Sequence, residues 1–189
     1  MLKACDDYHV PVLFEECMEA LDIKKDGIYV DCTAGGGGHS SGILDRLSSK
    51  GMLISLDKDD EALSRCEQRR EKYSDKNWEL IKSDFSKIDE VITELNLEKV
   101  DGILADFGVS SHQIDTAERG FSYAVDGPLD MRMDEQQRLS ASTVVNTYSK
   151  EELVRIFREY GEERFSGRIA DGIVRDRARE PFVSTKQLA

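Results

Sequence analysis

Four short apolar runs, rich in β-branched residues, each lead onto an aspartate, and helical patterns separate them. No other feature of the chain restricts its fold as much. Residues 28–32 form the first run and carry Asp31; 52–57 form the second and end at Asp57. Residues 78–82 close on Ser83-Asp84-Phe85, and 100–105 reach Asp106. Between them lie apolar residues at helical spacing. One segment covers about 40–47, and another runs from an N-cap at Asp59 to about Tyr73. A third has Ile88, Val91, Ile92 and Leu95 as its buried stripe, with Ser86 and Asp89 resembling a capping box. A short helix near 13–22 precedes the first run, after an opening His9-Val10-Pro11-Val12-Leu13. Alternation of this kind predicts α/β architecture: parallel strands, right-handed crossovers and an open doubly wound sheet. Ligands of such sheets bind beyond the carboxyl ends of the strands, so the four aspartates are expected to rim one crevice.

The first strand turns into its helix through Gly35-Gly36-Gly37-Gly38. Glycine is required where the backbone takes positive φ or where a ligand approaches the main chain. The helix N-terminus behind the turn presents unpaired N–H groups. Strand, glycine turn and helix together point to a nucleotide-like ligand.

Composition narrows the setting. The formal charge is −12, which argues against non-specific nucleic-acid binding over the whole surface while leaving room for a local basic face. Cys5, Cys17, Cys32 and Cys66 have neither C-x-x-C spacing nor a histidine at ligand distance in sequence. Neither a metal site nor a disulfide framework is expected, and a reducing, cytoplasmic setting is. The first eight residues lack the character of a signal peptide, and no run is long enough to span a membrane. Cys32 is expected to be buried, and His9 and His112 to be structural.

After Asp106 the periodicity stops. Residues 107–148 contain Gly108, Gly120, Gly127 and Pro128 with no clear repeat, which is long for a loop and suggests a functional segment. Helical signals return with the capping pair Ser149 and Glu152, followed by Leu153, Ile156, Phe157 and Tyr160 and closed by Gly161. A further helix is expected from about 162 to 179. At about 100° per residue its Arg164, Arg168, Arg175 and Arg179 fall within about 60° of each other, a row suited to RNA phosphates, although Asp171 shares the face. The division expected is 1–110 for the cofactor-binding sheet and 111–189 for a connecting loop and the start of a helical insertion.

An acid about 20 residues beyond the glycine run, here Asp57, stands where a ribose-binding carboxylate belongs. A dinucleotide and S-adenosylmethionine both carry such a ribose. The dinucleotide brings a pyrophosphate, whereas S-adenosylmethionine brings a sulfonium and an ammonium, which an acidic rim favours. Position 40 is Ser, so the glycines depart from G-x-G-x-x-G counted from Gly35.

Longer motifs carry a more specific resemblance. Asp31-Cys32-Thr33-Ala34 with the glycine run and His39-Ser40, Asp106-Phe107-Gly108-Val109-Ser110-Ser111, Glu118-Arg119-Gly120-Phe121-Ser122, and Asp126 through Met133 resemble the RsmH (MraW) family. So do His9 through Leu13 and Tyr160 through Phe165. The resemblance implies a Rossmann-like methyltransferase with a helical insertion. Its reaction moves a methyl group from S-adenosylmethionine to N4 of a cytosine in small-subunit (16S) ribosomal RNA, in the bacterial cytoplasm. It implies cofactor contacts from Gly37, Gly38, His39, Asp57 (ribose), Phe85 (adenine region), Asp106 and Gln113. Phe107 stands where the family more often has Leu, and His112 where it usually has Pro. For the chemistry itself, Asp106 is the expected catalytic residue, accepting a hydrogen bond from the amine, and His39 is expected to position rather than to act as a base.

Alternative readings are a methyltransferase for another nucleic-acid amine, a non-catalytic S-adenosylmethionine-binding module, and a dinucleotide oxidoreductase. The family's chain continues past residue 189, so the sequence reads as truncated, with the fourth strand expected to leave an open edge that invites a homodimer.

Overall fold

In the computed structural model, residues 11–189 are described; Cys5, His9 and Val10 lie outside the described residues. Strands β1 (Ile28–Asp31), β2 (Met52–Asp57), β3 (Asn77–Lys82) and β4 (Gly102–Leu104) form a parallel sheet in the order β3-β2-β1-β4. The order places the two outer connections in opposite senses. The chain steps outward from β1 to β2 to β3, then crosses back to lay β4 on the far side of β1. The topological switch point therefore lies between β1 and β4.

Both faces of the sheet are covered, and side chains alternate between them as strand geometry demands. Tyr29, Leu53 and Trp78 pack with Ile43, Leu44 and Leu47, and with Met18 of α1 (Phe14–Leu21). Val30, Ile54 and Leu56 pack on the other face against Val91 of α4 (Ile88–Glu94). The intervening helices are α2 (Gly38–Leu44) and α3 (Asp60–Arg70), the latter running into a tight turn at Glu71–Tyr73. Asp59 caps α3 as expected, accepting the Glu61 N–H at 3.0 Å.

Two local readings need correction. Helix α2 starts at Gly38, two residues before the expected start, because Gly37 takes a left-handed φ of 77° and lets the chain turn inside the glycine run. Ahead of α4 the cap is Asp84 rather than Ser86. Its carboxylate accepts the Ser86 N–H at 3.0 Å and opens a 3₁₀ turn, Phe85–Lys87. Strand β4 is shorter than expected, and among the described residues it pairs with β1 alone.

A second unit begins at Ser111. It contains α5 (Ser111–Asp115), a 3₁₀ turn at Ala117–Arg119, α6 (Ala141–Thr147), α7 (Lys150–Glu159), α8 (Ser166–Arg177) and α9 (Thr185–Leu188). Leu129, Val145, Leu153, Ala170 and Ile173 form its core. The stretch expected to lack periodicity thus holds two helices. Helix α6 is written in Thr, Val and Asn, residues of low helix propensity. It forms because Ser140 accepts the Thr143 N–H at 3.2 Å and Val145 is buried in the core. The rest of the stretch is tied down by the buried Arg119, whose guanidinium donates to the carbonyls of Arg132 and Met133 at 3.0 Å each.

The expected capping box at Ser149/Glu152 is present, and Ser184 with Gln187 forms a second. Helix α8 starts four residues later than expected. Glu162 takes a positive φ of 50°, and the Glu163 carboxylate captures the Phe165 N–H at 2.6 Å. Arg164 therefore precedes the helix, Arg179 lies beyond its end, and Arg175 is bound to Asp176 at 2.8 Å. The four arginines do not share one helix as expected. Among the described residues no helix is long and apolar enough to cross a membrane, and no group of three or more His, Cys, Asp or Glu could hold a metal ion.

Candidate active site

The carboxyl ends of the strands do not present four equivalent acids. Asp31 is fully buried and turned inward. It accepts from the Thr33 N–H at 3.1 Å and from the Ser40 hydroxyl at 2.6 Å. Ser40 lies 2.9 Å from the Ser55 hydroxyl, which accepts the Trp78 indole N–H at 2.8 Å. One buried polar chain thus joins β1, α2, β2 and β3. Burial pushes the Asp31 carboxyl above its usual range despite those donors. The expectation that Asp31 rims the crevice is overturned. Asp31 is the last residue of a buried strand and has no solvent to face, because α2 and the sheet enclose it.

Asp84 is exposed in part, but the Lys58 ammonium sits 3.2 Å away. The Ser86 N–H, with Lys58, holds the Asp84 carboxyl below its usual range. Its charge is therefore matched locally and adds little to an acidic rim.

Asp57 and Asp106 remain. Asp57 accepts the Gly35 N–H at 2.9 Å on one oxygen and the Asp59 N–H at 3.0 Å on the other. Each oxygen keeps a lone pair, so the carboxylate can bind a vicinal diol while staying fixed to the turn. Burial raises the Asp57 carboxyl, opposed by those two backbone donors. The turn it holds is open toward solvent. A Cβ built at Gly35 would meet only the Thr33 carbonyl, at 3.8 Å. A nucleoside ribose can approach this main chain closely, so the residues present fit an adenosine-bearing cofactor. Gly38 faces the other way: a Cβ there would strike Pro11 Cγ at 2.4 Å. Gly38 is thus needed for packing of the preceding segment, and any ligand contact it makes is through its backbone.

Asp106 lies at the switch point, beside the glycine turn. Its N–H donates to Thr33 Oγ1 at 2.7 Å, which pins the β4 loop to the β1 turn. Its carboxylate is about half exposed and stands 4.0 Å from His39 Nδ1. The His39 ring is 6% exposed. It lies 6.1 Å from the Phe14 ring in a stacked arrangement, and its Nε2 is 3.2 Å from the Val12 carbonyl oxygen. The ring is thus enclosed between Phe14 and the Val12 carbonyl. Phe85, three residues beyond β3, is 40% exposed and contacts Phe107, with ring centroids 5.0 Å apart.

The first unit therefore brings together Gly37, Gly38, His39, Asp57, Phe85 and Asp106. Gln113 belongs to the second unit, where it is buried on α5. Sequence reasoning missed Thr33, whose hydroxyl fixes Asp106, and Lys58, which neutralises Asp84. Thr33 sits in the turn motif itself, and a hydroxyl between strand and glycines was the available signal. Chemically the arrangement offers a diol acceptor, open backbone at a turn, an aromatic surface and an exposed carboxylate over the switch point.

The pattern of the MraW methylase family matches residues 6–189. The ribosomal RNA small subunit methyltransferase H of Fusobacterium nucleatum is 50% identical over 188 residues, which cover 100% of this chain and 60% of that protein. The protein of the same name from Clostridium botulinum (strain Loch Maree) is 51% identical over 180 residues, 95% of this chain and 58% of its own. That of Caldicellulosiruptor bescii is 52% identical over 181 residues, 96% and 58% respectively. The chain thus spans about 60% of the length of these relatives.

Proposed function

Because the chain belongs to the MraW methylase family, we propose that it forms the cofactor-binding part of a methyltransferase that uses S-adenosylmethionine to methylate N4 of a cytosine in small-subunit ribosomal RNA. The observation that carries this reading is the placement of Asp106. An exposed carboxylate stands at the topological switch point, tied by Thr33 to the same glycine turn that Asp57 holds open. In this reading Asp57 binds the ribose hydroxyls and Phe85 borders the adenine. Gly37 and Gly38 present their backbone, and His39 fixes the turn against Val12 and Phe14. The second unit serves RNA recognition, and the protein works in the cytoplasm, where ribosomal RNA is assembled.

When bound, S-adenosylmethionine supplies a methyl group on a sulfonium, ready for displacement. The protein's tasks are to aim the N4 lone pair along the S–CH₃ axis and to stabilise the charge that grows on nitrogen. Asp106 accepts a hydrogen bond from the amine, which turns the lone pair outward and offsets that charge. The cytosine must be unpaired or drawn out of its stack to reach it.

Calorimetry with S-adenosylmethionine and with NAD tests the cofactor, and radiolabelled methyl transfer to small-subunit particles tests the reaction. We expect binding of the former alone. Asp106→Asn should lower turnover by about 10²–10³-fold, as loss of a transition-state electrostatic contact does. Full turnover in Asp106→Asn would remove the carboxylate role. Cofactor binding without turnover, in this chain and in one of the relatives' full length alike, would leave a binding module.

A further inference from the structure

The buried polar chain on the α2 face of the sheet has one direction. The Trp78 indole N–H can only donate, and it does so to Ser55 Oγ at 2.8 Å. The Ser40 hydroxyl donates to Asp31 Oδ2 at 2.6 Å. Its single hydrogen is then spent, so across the 2.9 Å between the two serines Ser55 donates to Ser40. Three donors in series thus run from β3 through β2 and α2 to the end of β1. Trp78, Ser55, Ser40 and Asp31 are each at most 1% exposed, so bulk solvent cannot replace a link. The series continues past Asp31. Its other oxygen accepts the Thr33 N–H at 3.1 Å, and Thr33 Oγ1 accepts the Asp106 N–H at 2.7 Å. The neighbouring N–H groups have other partners. Cys32 donates to the Leu104 carbonyl at 2.8 Å, Ala34 to the Leu56 carbonyl at 2.9 Å, and Gly35 to Asp57. Of these four consecutive N–H groups only that of Thr33 rests on Asp31, and Thr33 is the residue that holds Asp106. β3 and β4 are opposite edges of the sheet, three strand spacings or about 14 Å apart. Hydrogen bonds nevertheless connect Trp78 on one edge to the loop that follows the other.

We propose that Trp78 and Ser55, acting through Ser40 and Asp31, are positioning residues for Asp106, a role that rests on the reading of Asp106 as the acceptor of the amine. Asp31 holds the Thr33 peptide, and Thr33 fixes the Asp106 main chain and with it the direction of the carboxylate. Packing does not call for polar groups here. The surrounding face is built from Tyr29, Leu53, Ile43 and Leu44, and a hydroxyl among them costs free energy unless it is paired. Apolar side chains of the same shape would fill the space about as well. What the hydroxyls add is orientation, since each link in a dry chain polarises and aligns the next. Asp31 is thereby held from both of its oxygens, and the turn residue that carries Asp106 has one position.

The test is amide NMR of the chain together with methyl transfer to small-subunit particles. Ser40→Ala should move the Asp106 amide resonance most, Ser55→Ala less and Trp78→Phe least, while the Gly35 amide, held by Asp57, stays in place. Turnover should follow the same order. Ser40→Ala should lower kcat by about 10- to 100-fold, the worth of a hydrogen bond to a carboxylate, with the KM for S-adenosylmethionine unchanged. Ser55→Ala added to Ser40→Ala should change nothing further, because Ser55 acts only through Ser40. An Asp106 amide that stays put in Ser55→Ala overturns the coupling and leaves the reading of Asp106 intact. Should that variant not fold, an unmoved amide in Trp78→Phe overturns it equally. Losses of kcat that add in the double variant also overturn it, since that marks two independent packing defects. So does a raised KM with kcat unchanged, which is a disturbed cofactor turn and not a misdirected carboxylate. Displaced amides with kcat unchanged overturn the positioning role as well. If the unsubstituted chain transfers no methyl group, the reading of Asp106 fails first and the positioning role falls with it, whatever the amides show.

Discussion

Asp31, Asp57 and Asp106 share a residue type and a position at strand ends, and their surroundings give them three different tasks. Asp31 is a buried anchor whose carboxyl is raised above its ordinary value of 3.8 by burial. A raised folded value means that the native state holds the proton more tightly than the unfolded chain. Stability from this group is therefore greatest below the ordinary value and declines as pH rises through the interval up to the folded value. Asp31→Asn removes that titration, and its amide can still accept the Thr33 N–H. Melting temperature should then depend less steeply on pH above 4 than in the parent chain; an identical slope would show that Asp31 does not carry the effect. Asp57 acts outward. Asp57→Ala should weaken adenosine by about 10- to 100-fold, the worth of hydrogen bonds to a charged acceptor. The variant should no longer distinguish adenosine from its 2′,3′-dideoxy analogue, and retained discrimination would place the ribose elsewhere. Cys66 illustrates a third fate. Burial pushes its thiol up to about 12, and its Sγ lies 3.7 Å from the Gly35 carbonyl oxygen. It should resist alkylation in the native state at pH 8 and react on unfolding.

Among the elements, the caps at Asp59 and Ser149 were readable because capping is local, whereas the expected Ser86–Asp89 pair gave way to Asp84 two residues earlier. Asp59 and Ser149 each place an acceptor within three residues of the N–H it binds. Ser149→Ala should cost about 0.5–2 kcal/mol, measured by urea denaturation. Helix α2 depends on the turn ahead of it. Gly37→Ala forces a side chain into left-handed φ at about 1–2 kcal/mol, and its Cβ would sit 3.0 Å from Arg69 Cδ and 3.2 Å from Cys66 Sγ. A stability equal to the parent's would show that the turn can relax. α6 and the start of α8 escaped the sequence for the opposite reason. Val145 earns its helical conformation by burial against residues far along the chain, and Glu162 is a turn residue without glycine's signature.

At the scale of the whole molecule each unit has its own core. Val30, Leu53 and Ile54 lie in the first; Leu153 is fully buried in the second. Leu153→Ala should destabilise the second unit by about 2–5 kcal/mol. Hydrogen exchange should show the loss in α6, α7 and α8 and leave the amides of β1 and β2 protected as before. Loss of protection across both units would mean that they unfold as one.

The order of residues alone determined the alternation of strands and helices, the glycine turn, the caps at Asp59 and Ser149 and the family motifs, because periodicity, backbone freedom and short-range hydrogen bonds all act within a few positions. Only the tertiary structure decided which acids are buried, which are paired and which stay open to solvent. The strand order β3-β2-β1-β4 sets the switch point beside Asp106, closes α2 over Asp31, matches Asp84 with Lys58 and draws Phe85 against Phe107. Those outcomes depend on burial and on pairings between segments tens of residues apart, and no local pattern encodes them.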